Sequence, residues 1–398
     1  MDFASEYKIY SKIKLDCILG PDIRIEKIMH GSGGSQNIII KAKLKSVNMP
    51  LIIKIFPRDA YHNTKRIPNF NELEIKFYQF FTQKYLLMNR TPHIVGIYSH
   101  KHCLNIDFFI KKKLLNKPCP TYADQLTKRN LKQSESDNYL CDILLRKEMK
   151  LITADYDMCL IEYCETDMDA FLREYLTQIK KFKSVKYISR MVYRLHIIIF
   201  QIIFTLGIIK SDYPGFLHGD FFSRNILLRD ISSFSESDCV AYHYKNKIFY
   251  LPANGPSVKI NDFGMTVIAN KIEPNVFDPR SDPRLAFNSY NYDPFSEKTD
   301  LYNFFIDMYR IILYLGEEFD IPKDKIGPIV ETLDNFFDTK AIDKIPNKEL
   351  LYDIWHINNI KVLTSTLKTP VEYLTGNYFK LFEQLDPNSA IIKHYNLS

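Results

Sequence analysis

Glycine is scarce in these 398 residues, at 13, and there is a single tryptophan. So little glycine, with no period, excludes collagen-like and flexible low-complexity chains. No two of the seven cysteines form a C-x-x-C pair, and their number is odd. A disulfide framework or a zinc ribbon is therefore not expected, and the cysteines read as reduced thiols of a cytosol-like compartment. The first dozen residues, MDFASEYKIYSK, hold no apolar signal core. The greasiest stretch, Ile197–Ile209, interrupts its apolar side chains with Gln201. A membrane span needs about twenty apolar residues, so a buried core helix is expected and no membrane span. Net charge is +6, spread over the chain, which is too weak a footprint for nucleic acid. What is present is core-building material: 46% hydrophobic and 14% aromatic residues, enough for two lobes.

No long repeat is visible. Asn37–Leu44 and Pro50–Phe56 are isoleucine-rich, bounded by turn residues, and read as strands. Asn71–Leu86 places Leu73, Phe77, Phe80 and Phe81 at helical spacing. His93–His100 reads as a further strand. Residues 101–155 are lysine-rich and aperiodic in their middle. They are expected to form an insertion or long loop with one helix near its end, either a solvated loop or a basic docking surface. Asp157–Leu176 starts as a strand and ends as a helix. Beyond it the pattern is mostly helical: Val185–Ile209, Thr299–Leu315, Ile329–Phe337 and Val371–Leu385. Trp355 is expected in the core.

Several residue groups could carry chemistry. Gly31, Gly33 and Gly34 cluster between two expected strands, where exposed backbone N–H groups could approach a phosphate; a simple glycine hairpin would look the same. Lys54 lies in an apolar strand and would need a counter-charge if buried, with Glu72 and Glu74 on the next helix as candidates; otherwise it points to solvent. Asp262 precedes Phe-Gly at the end of an apolar strand, a natural place for a magnesium ligand. The stretch FLHGDFFSRNILL, Phe216–Leu228, brings Asp220 and Asn225 into one short loop. There Asp220 could accept a hydroxyl proton and Asn225 could offer an amide oxygen to a metal. His218 reads as a packed structural histidine.

Taken in order, the glycine cluster, strand Lys, helix Glu, His-x-Asp-x-x-x-x-Asn and Asp-Phe-Gly resemble the eukaryotic-type protein kinase superfamily over roughly residues 25–315. The helix around Glu74 is similar to that of vaccinia-related kinases, which belong with casein kinase I. The resemblance implies an α+β, bilobal fold. It would have a small antiparallel-sheet N-lobe with one helix (residues 1–162) and a larger, mainly helical C-lobe (residues 163–398). It implies that Gly31, Gly33, Gly34 and Ile38 contact ATP, and that Lys54 holds its α- and β-phosphates while pairing with Glu74. Ile161 becomes the gatekeeper, and Glu162 and Cys164 offer backbone hydrogen bonds to adenine. Asp220 is then the catalytic base, Asn225 and Asp262 are Mg²⁺ ligands, and Asp300 braces the catalytic loop. ATP and Mg²⁺ are the implied cofactors and a protein the implied partner. The abundance of Ile, Asn, Lys, Tyr and Phe suggests an AT-rich genome and a large DNA virus, with the protein in the host cytoplasm or virion.

The departures from the family pattern matter. Gln36 stands in place of the third glycine. Gly219 replaces the Arg before Asp220, so activity without loop phosphorylation is expected. Phe222 occupies the usual Ser/Thr-kinase Lys position, and Arg224 sits where many tyrosine kinases carry an Arg, which leaves hydroxyl specificity open. The long gap between Asp220 and Asp262 implies a hairpin insertion near Ser232–Pro256. Two other readings stay open: a small-molecule kinase of the aminoglycoside or choline type, whose loop also reads His-Gly-Asp, and a pseudokinase scaffold.

Overall fold

The computed structural model describes residues 3–13, 15–29, 37–60, 70–116, 118–119, 135–182, 185–230, 235, 237–268, 271, 298–336 and 366–396. Gly31, Gly33, Gly34, Gln36 and Trp355 lie outside the described residues. The chain forms two compact units, Met1–Thr82 with Val95–Tyr163, and Gln83–Ile94 with Cys164–Ser398.

The first unit carries helix α1 (Phe3–Tyr10), strands β1 (Ile23–Met29), β2 (Ile38–Leu44) and β3 (Met49–Asp59), and helix α2 (Phe70–Phe81). Strand β4 (Ile97–Cys103), helices α3 (Ile106–Phe109) and α4 (Glu135–Glu148) and strand β5 (Ile152–Ile161) follow. The strands form one antiparallel sheet in the order β1-β2-β3-β5-β4. β2 alternates between buried and half-buried residues, as a strand with one covered face should. Central β3 is buried continuously from Leu51 to Pro57, which is why it reads as an apolar run broken only by Lys54. α2 buries Leu73, Glu74, Phe77, Tyr78 and Phe81 along one stripe. The expected strand at His93–His100 starts later, at Ile97, because the Gly96 N–H is taken by the Glu162 carboxylate (3.3 Å) rather than by a neighbouring strand. The expected long loop at 101–155 holds the end of β4, α3, α4 and the start of β5 among its described residues.

The cysteines correct the expectation of reduced thiols. Cys17 bonds to Cys103 and Cys119 to Cys141, while Cys159, Cys164 and Cys239 are outside any disulfide. Spacing along the chain did not reveal the pairs because sheet and helix packing brings residues 86 and 22 positions apart within Cα–Cα distances of 5.6 and 5.5 Å.

The second unit contains β6 (Thr166–Asp167), helices α5 (Met168–Phe182) and α6 (Val185–Asp212), and strands β7 (Phe216–Leu217), β8 (Ile226–Asp230), β9 (Asp238–Tyr244), β10 (Lys247–Pro252), β11 (Pro256–Ile260) and β12 (Val267–Ile268). Helices α7 (Thr299–Glu318), α8 (Lys323–Asp334) and α9 (Pro370–Thr375) and strand β13 (Ala390–Asn396) follow. α6 is long and apolar enough to cross a membrane, yet 78% of its most apolar window is buried within the protein. Gln201 belongs in that apolar run for a reason. Its side chain donates to Pro256 O (3.0 Å) and accepts the Val258 N–H (2.7 Å), so it satisfies the backbone of β11.

The hairpin expected near Ser232–Pro256 is β9–β10. Its outer partner is β13, which runs parallel to β9. The expected helix at Val371–Leu385 is cut short: α9 opens on a Thr369–Glu372 capping box and ends before Gly376. α8 begins six residues before the expected Ile329 and contains Pro328. The architecture is thus α+β, an antiparallel sheet with a helical C-terminal part.

Candidate active site

In the first unit Lys54 and Glu74 form an ion pair. Lys54 Nζ lies 2.5 Å from Glu74 Oε1, with the two residues 5% and 2% exposed. The other candidate, Glu72, points outward and pairs with Lys76 at 2.8 Å. Lys54 also sits over the Phe56 ring, 5.1 Å from its centroid. Opposite Lys54 on β5 is Cys159, whose thiol burial and the Glu74 and Asp157 charges push well above its ordinary pKa. Ile38 is fully buried on β2, and Ile161 is buried at the end of β5. Glu162 donates its backbone N–H to Gly96 O (3.0 Å). Cys164 is half-buried, outside any disulfide, at the start of the second unit.

The second unit gathers the remaining candidates. The ladder between β8 and β11 ends on the pair Ile226–Ile260. Asn225 immediately precedes this end and Asn261 immediately follows it, joined by the bond from Asn261 N to Asn225 O (3.0 Å). Asp220, Asn225 and Asp262 therefore cluster at one end of one ladder. Asn225 Nδ2 donates to the Asp220 carbonyl and to Asp220 Oδ2, both at 2.8 Å. Arg224 Nη2 donates to Asp220 Oδ1 at 2.8 Å and lies over the Phe222 ring at 4.8 Å. Both carboxylate oxygens of Asp220 are thus oriented, while 24% of its side-chain surface stays exposed. The role of Arg224 was not foreseen, although its four-residue offset from Asp220 was the available signal.

Asp262 adopts a left-handed backbone, φ 63°, a conformation Asp tolerates better than most residues. Among the described residues its carboxylate makes no hydrogen bond or ion pair. The Asn225 Oδ1 likewise makes none, because the amide nitrogen does the bonding. A carboxylate and an amide oxygen left without partners are the donor types that magnesium prefers, so these residues fit the ion.

The loop around Asp220 is braced from within the unit. Asp300, at the start of α7, accepts the His218 N–H (3.1 and 3.2 Å) and the Gly219 N–H (3.4 Å). Buried Lys210 lies 3.5 Å from the same carboxylate. His218 is fully buried, its Nε2 3.0 Å from Asn261 O and its ring against Phe221 and Phe263. Gly219 has φ +82°, and a Cβ there would meet the Met265 carbonyl oxygen at 2.4 Å. That close approach explains why an Arg cannot stand before Asp220 in this chain.

No known family profile matches the chain. It is 41% identical over 399 residues, all of this chain and 99% of the relative, to a protein of Acanthamoeba polyphaga mimivirus named "putative serine/threonine-protein kinase". A second mimivirus protein of the same description is 25% identical over 264 residues, 64% of this chain and 50% of that relative. With full-length similarity at that identity, the chain belongs to the serine/threonine-protein kinase family that this viral relative represents.

Proposed function

We propose that the chain is an ATP-dependent protein kinase that moves the γ-phosphoryl group onto Ser or Thr hydroxyls of proteins. The observation that carries this reading is Asp220: a carboxylate oriented through one oxygen by Arg224 and through the other by Asn225, yet open to a substrate. Such a group can accept the hydroxyl proton and aim the nucleophile, and phosphoryl transfer depends chiefly on positioning and charge. Asn225 and Asp262 would hold magnesium arriving with ATP; when bound, the ion neutralises charge on the phosphates. Lys54, paired with Glu74, is the candidate for the α- and β-phosphates. Arg224 supplies next to Asp220 the cation that Phe222 cannot. Glu162 and Cys164 are the proposed adenine-facing backbone groups, and Gly31, Gly33, Gly34 and Ile38 the proposed cover of the nucleotide.

The Ser/Thr preference follows the name of the full-length relative. The His-Gly-Asp spelling shared with small-molecule kinases has a local cause here, the left-handed Gly219 against Met265, and so does not favour that reading. The test is transfer from labelled ATP with Mg²⁺ to casein, myelin basic protein, aminoglycosides and choline, using wild type and Asp220→Ala. Label on protein Ser or Thr, lost in the variant while ATP still binds, is expected. Label on a small molecule alone, or undiminished label in the variant, would overturn the proposal.

A further inference from the structure

The turn that carries Asp220 and Asn225 is held by three side chains that need one proton more than their ordinary ionisation supplies. Ser223 Oγ lies 2.5 Å from Asp169 Oδ1 in the first turn of α5 and in hydrogen-bond contact with Asp307 Oδ2 on α7. The same Asp307 oxygen accepts the Ser223 backbone N–H at 2.9 Å. Ser223 is fully buried and Asp307 nearly so. A serine hydroxyl has one hydrogen and can donate to only one carboxylate. The second close oxygen must bring its own hydrogen, or two lone pairs would face each other at a part-buried contact.

The surroundings decide which carboxyl holds it. Asp307 accepts a backbone N–H, and its Oδ1 lies 3.6 Å from Arg310 Nη2, so its two oxygens already face donors. Asp169 is raised above the ordinary carboxylate value, chiefly by burial. The Ser223 hydroxyl opposes the rise, the charges of Asp307 and of Asp167 on β6 add to it, and Arg310 on α7 again opposes it. Asp220 and Arg224 on the turn itself are paired with each other.

We infer that a protonated Asp169 donates to Ser223 Oγ, that Ser223 donates to ionised Asp307, and that this relay positions the Asp220–Asn225 turn for transfer. The inference rests on the kinase reading for its consequence, although not for its geometry. All three are positioning residues; none is assigned a contact with substrate. As pH rises the relay loses the Asp169 proton. Two carboxylates then compete for one hydroxyl hydrogen, and the turn loosens.

The test is the pH profile of kcat and KM for the full chain, as wild type, Asp169→Asn and Asp169→Ala, with infrared spectra of the same samples. The Asn amide can donate to Ser223 Oγ at every pH. That variant is expected to keep most of kcat and to lack a fall toward alkaline pH that wild type shows. The Ala variant is expected to lose on the order of tenfold to a hundredfold in kcat, with KM for ATP little changed. Infrared should show a carboxylic-acid carbonyl band in wild type that is absent from Asp169→Asn. Coincident profiles for wild type and the Asn variant, or no such band, would overturn the relay. If wild type transfers no phosphate at any pH, the kinase reading falls and the band alone decides the relay. If the Ala variant does not fold, the Asn profile and the band still decide.

Discussion

Breaking the Lys54–Glu74 pair should cost far more than the pair contributes intact. At 2.5 Å, and with an effective dielectric of about 20, the attraction is about 7 kcal/mol before any desolvation. Removing both ions from water costs several kcal/mol each, so the intact pair nets close to zero. Replacing one member is different, because the other charge stays buried: Lys54 is 5% and Glu74 2% exposed. Lys54→Met should therefore destabilise by about 3–5 kcal/mol, and Glu74→Leu by a similar amount, since each leaves an uncompensated ion. The double variant, with apolar side chains of similar volume, should recover most of that loss. The assay is denaturant unfolding followed by circular dichroism for wild type, both single variants and the double, analysed as a cycle. Losses below about 1 kcal/mol in the single variants, or strictly additive losses, would show that the pair is neither buried nor coupled, and would refute the reasoning. Because the double variant keeps stability and lacks the cation, it also separates folding from nucleotide binding. It should be well folded and bind ATP poorly.

The other predictions concern separate features. Gly219→Ala should destabilise by about 1–3 kcal/mol and lower phosphate transfer, since its φ of +82° and the Met265 carbonyl leave no room for a Cβ; an unchanged melting temperature would contradict this. Under oxidising conditions, Cys17→Ser should cost about 4.6 kcal/mol by loop-closure arithmetic for a separation of 86 residues, and the difference from wild type should vanish with reductant. In the oxidised protein, mass mapping after alkylation should find Cys164 and Cys239 labelled before buried Cys159. Burial raises the Asp157 pKa, but hydrogen bonds from His100 and Arg58 outweigh it and hold the carboxyl down at about 2, below the ordinary 3.8. Its contribution to stability is therefore fully present above the ordinary value and lost as pH falls through about 2. The stability gap between wild type and Asp157→Asn should narrow over that window, and a gap independent of pH would count against the assignment.

Much of the secondary structure was legible because it repeats with a local period. The isoleucine-rich strands, the stripe of Leu73, Phe77 and Phe81, and the long apolar helix around Gln201 all follow from side chains that alternate or recur along one element. The hairpin inserted between Asp220 and Asp262 was legible because that gap is longer than is usual in the family the sequence resembles. The short α9 and the parallel pairing of β13 with β9 were not, because a capping residue and a distant strand decided them.

At the candidate site, the order of Lys, Glu, Asp, Asn and Asp along the chain was enough to suggest phosphoryl transfer, since each residue type carries its own chemistry. Sequence could not tell whether Lys54 is buried, and the residues alone left Glu72 and Glu74 open until the family resemblance favoured Glu74; the packing of α2 turns Glu74 inward and Glu72 to solvent. Nor could it tell that Gly219 stands before Asp220 because the Met265 carbonyl comes within 2.4 Å of any Cβ there. The disulfides and the shared proton of Asp169, Ser223 and Asp307 were invisible for the same reason. Side chains 22 to 86 positions apart for the disulfides, and 54 and 84 for the proton, interact only after tertiary packing has brought them into contact and removed the water between them. The sequence by itself determined which chemical groups are available and in what local elements; tertiary structure decided which of them touch, because distance and desolvation are properties of the folded chain alone.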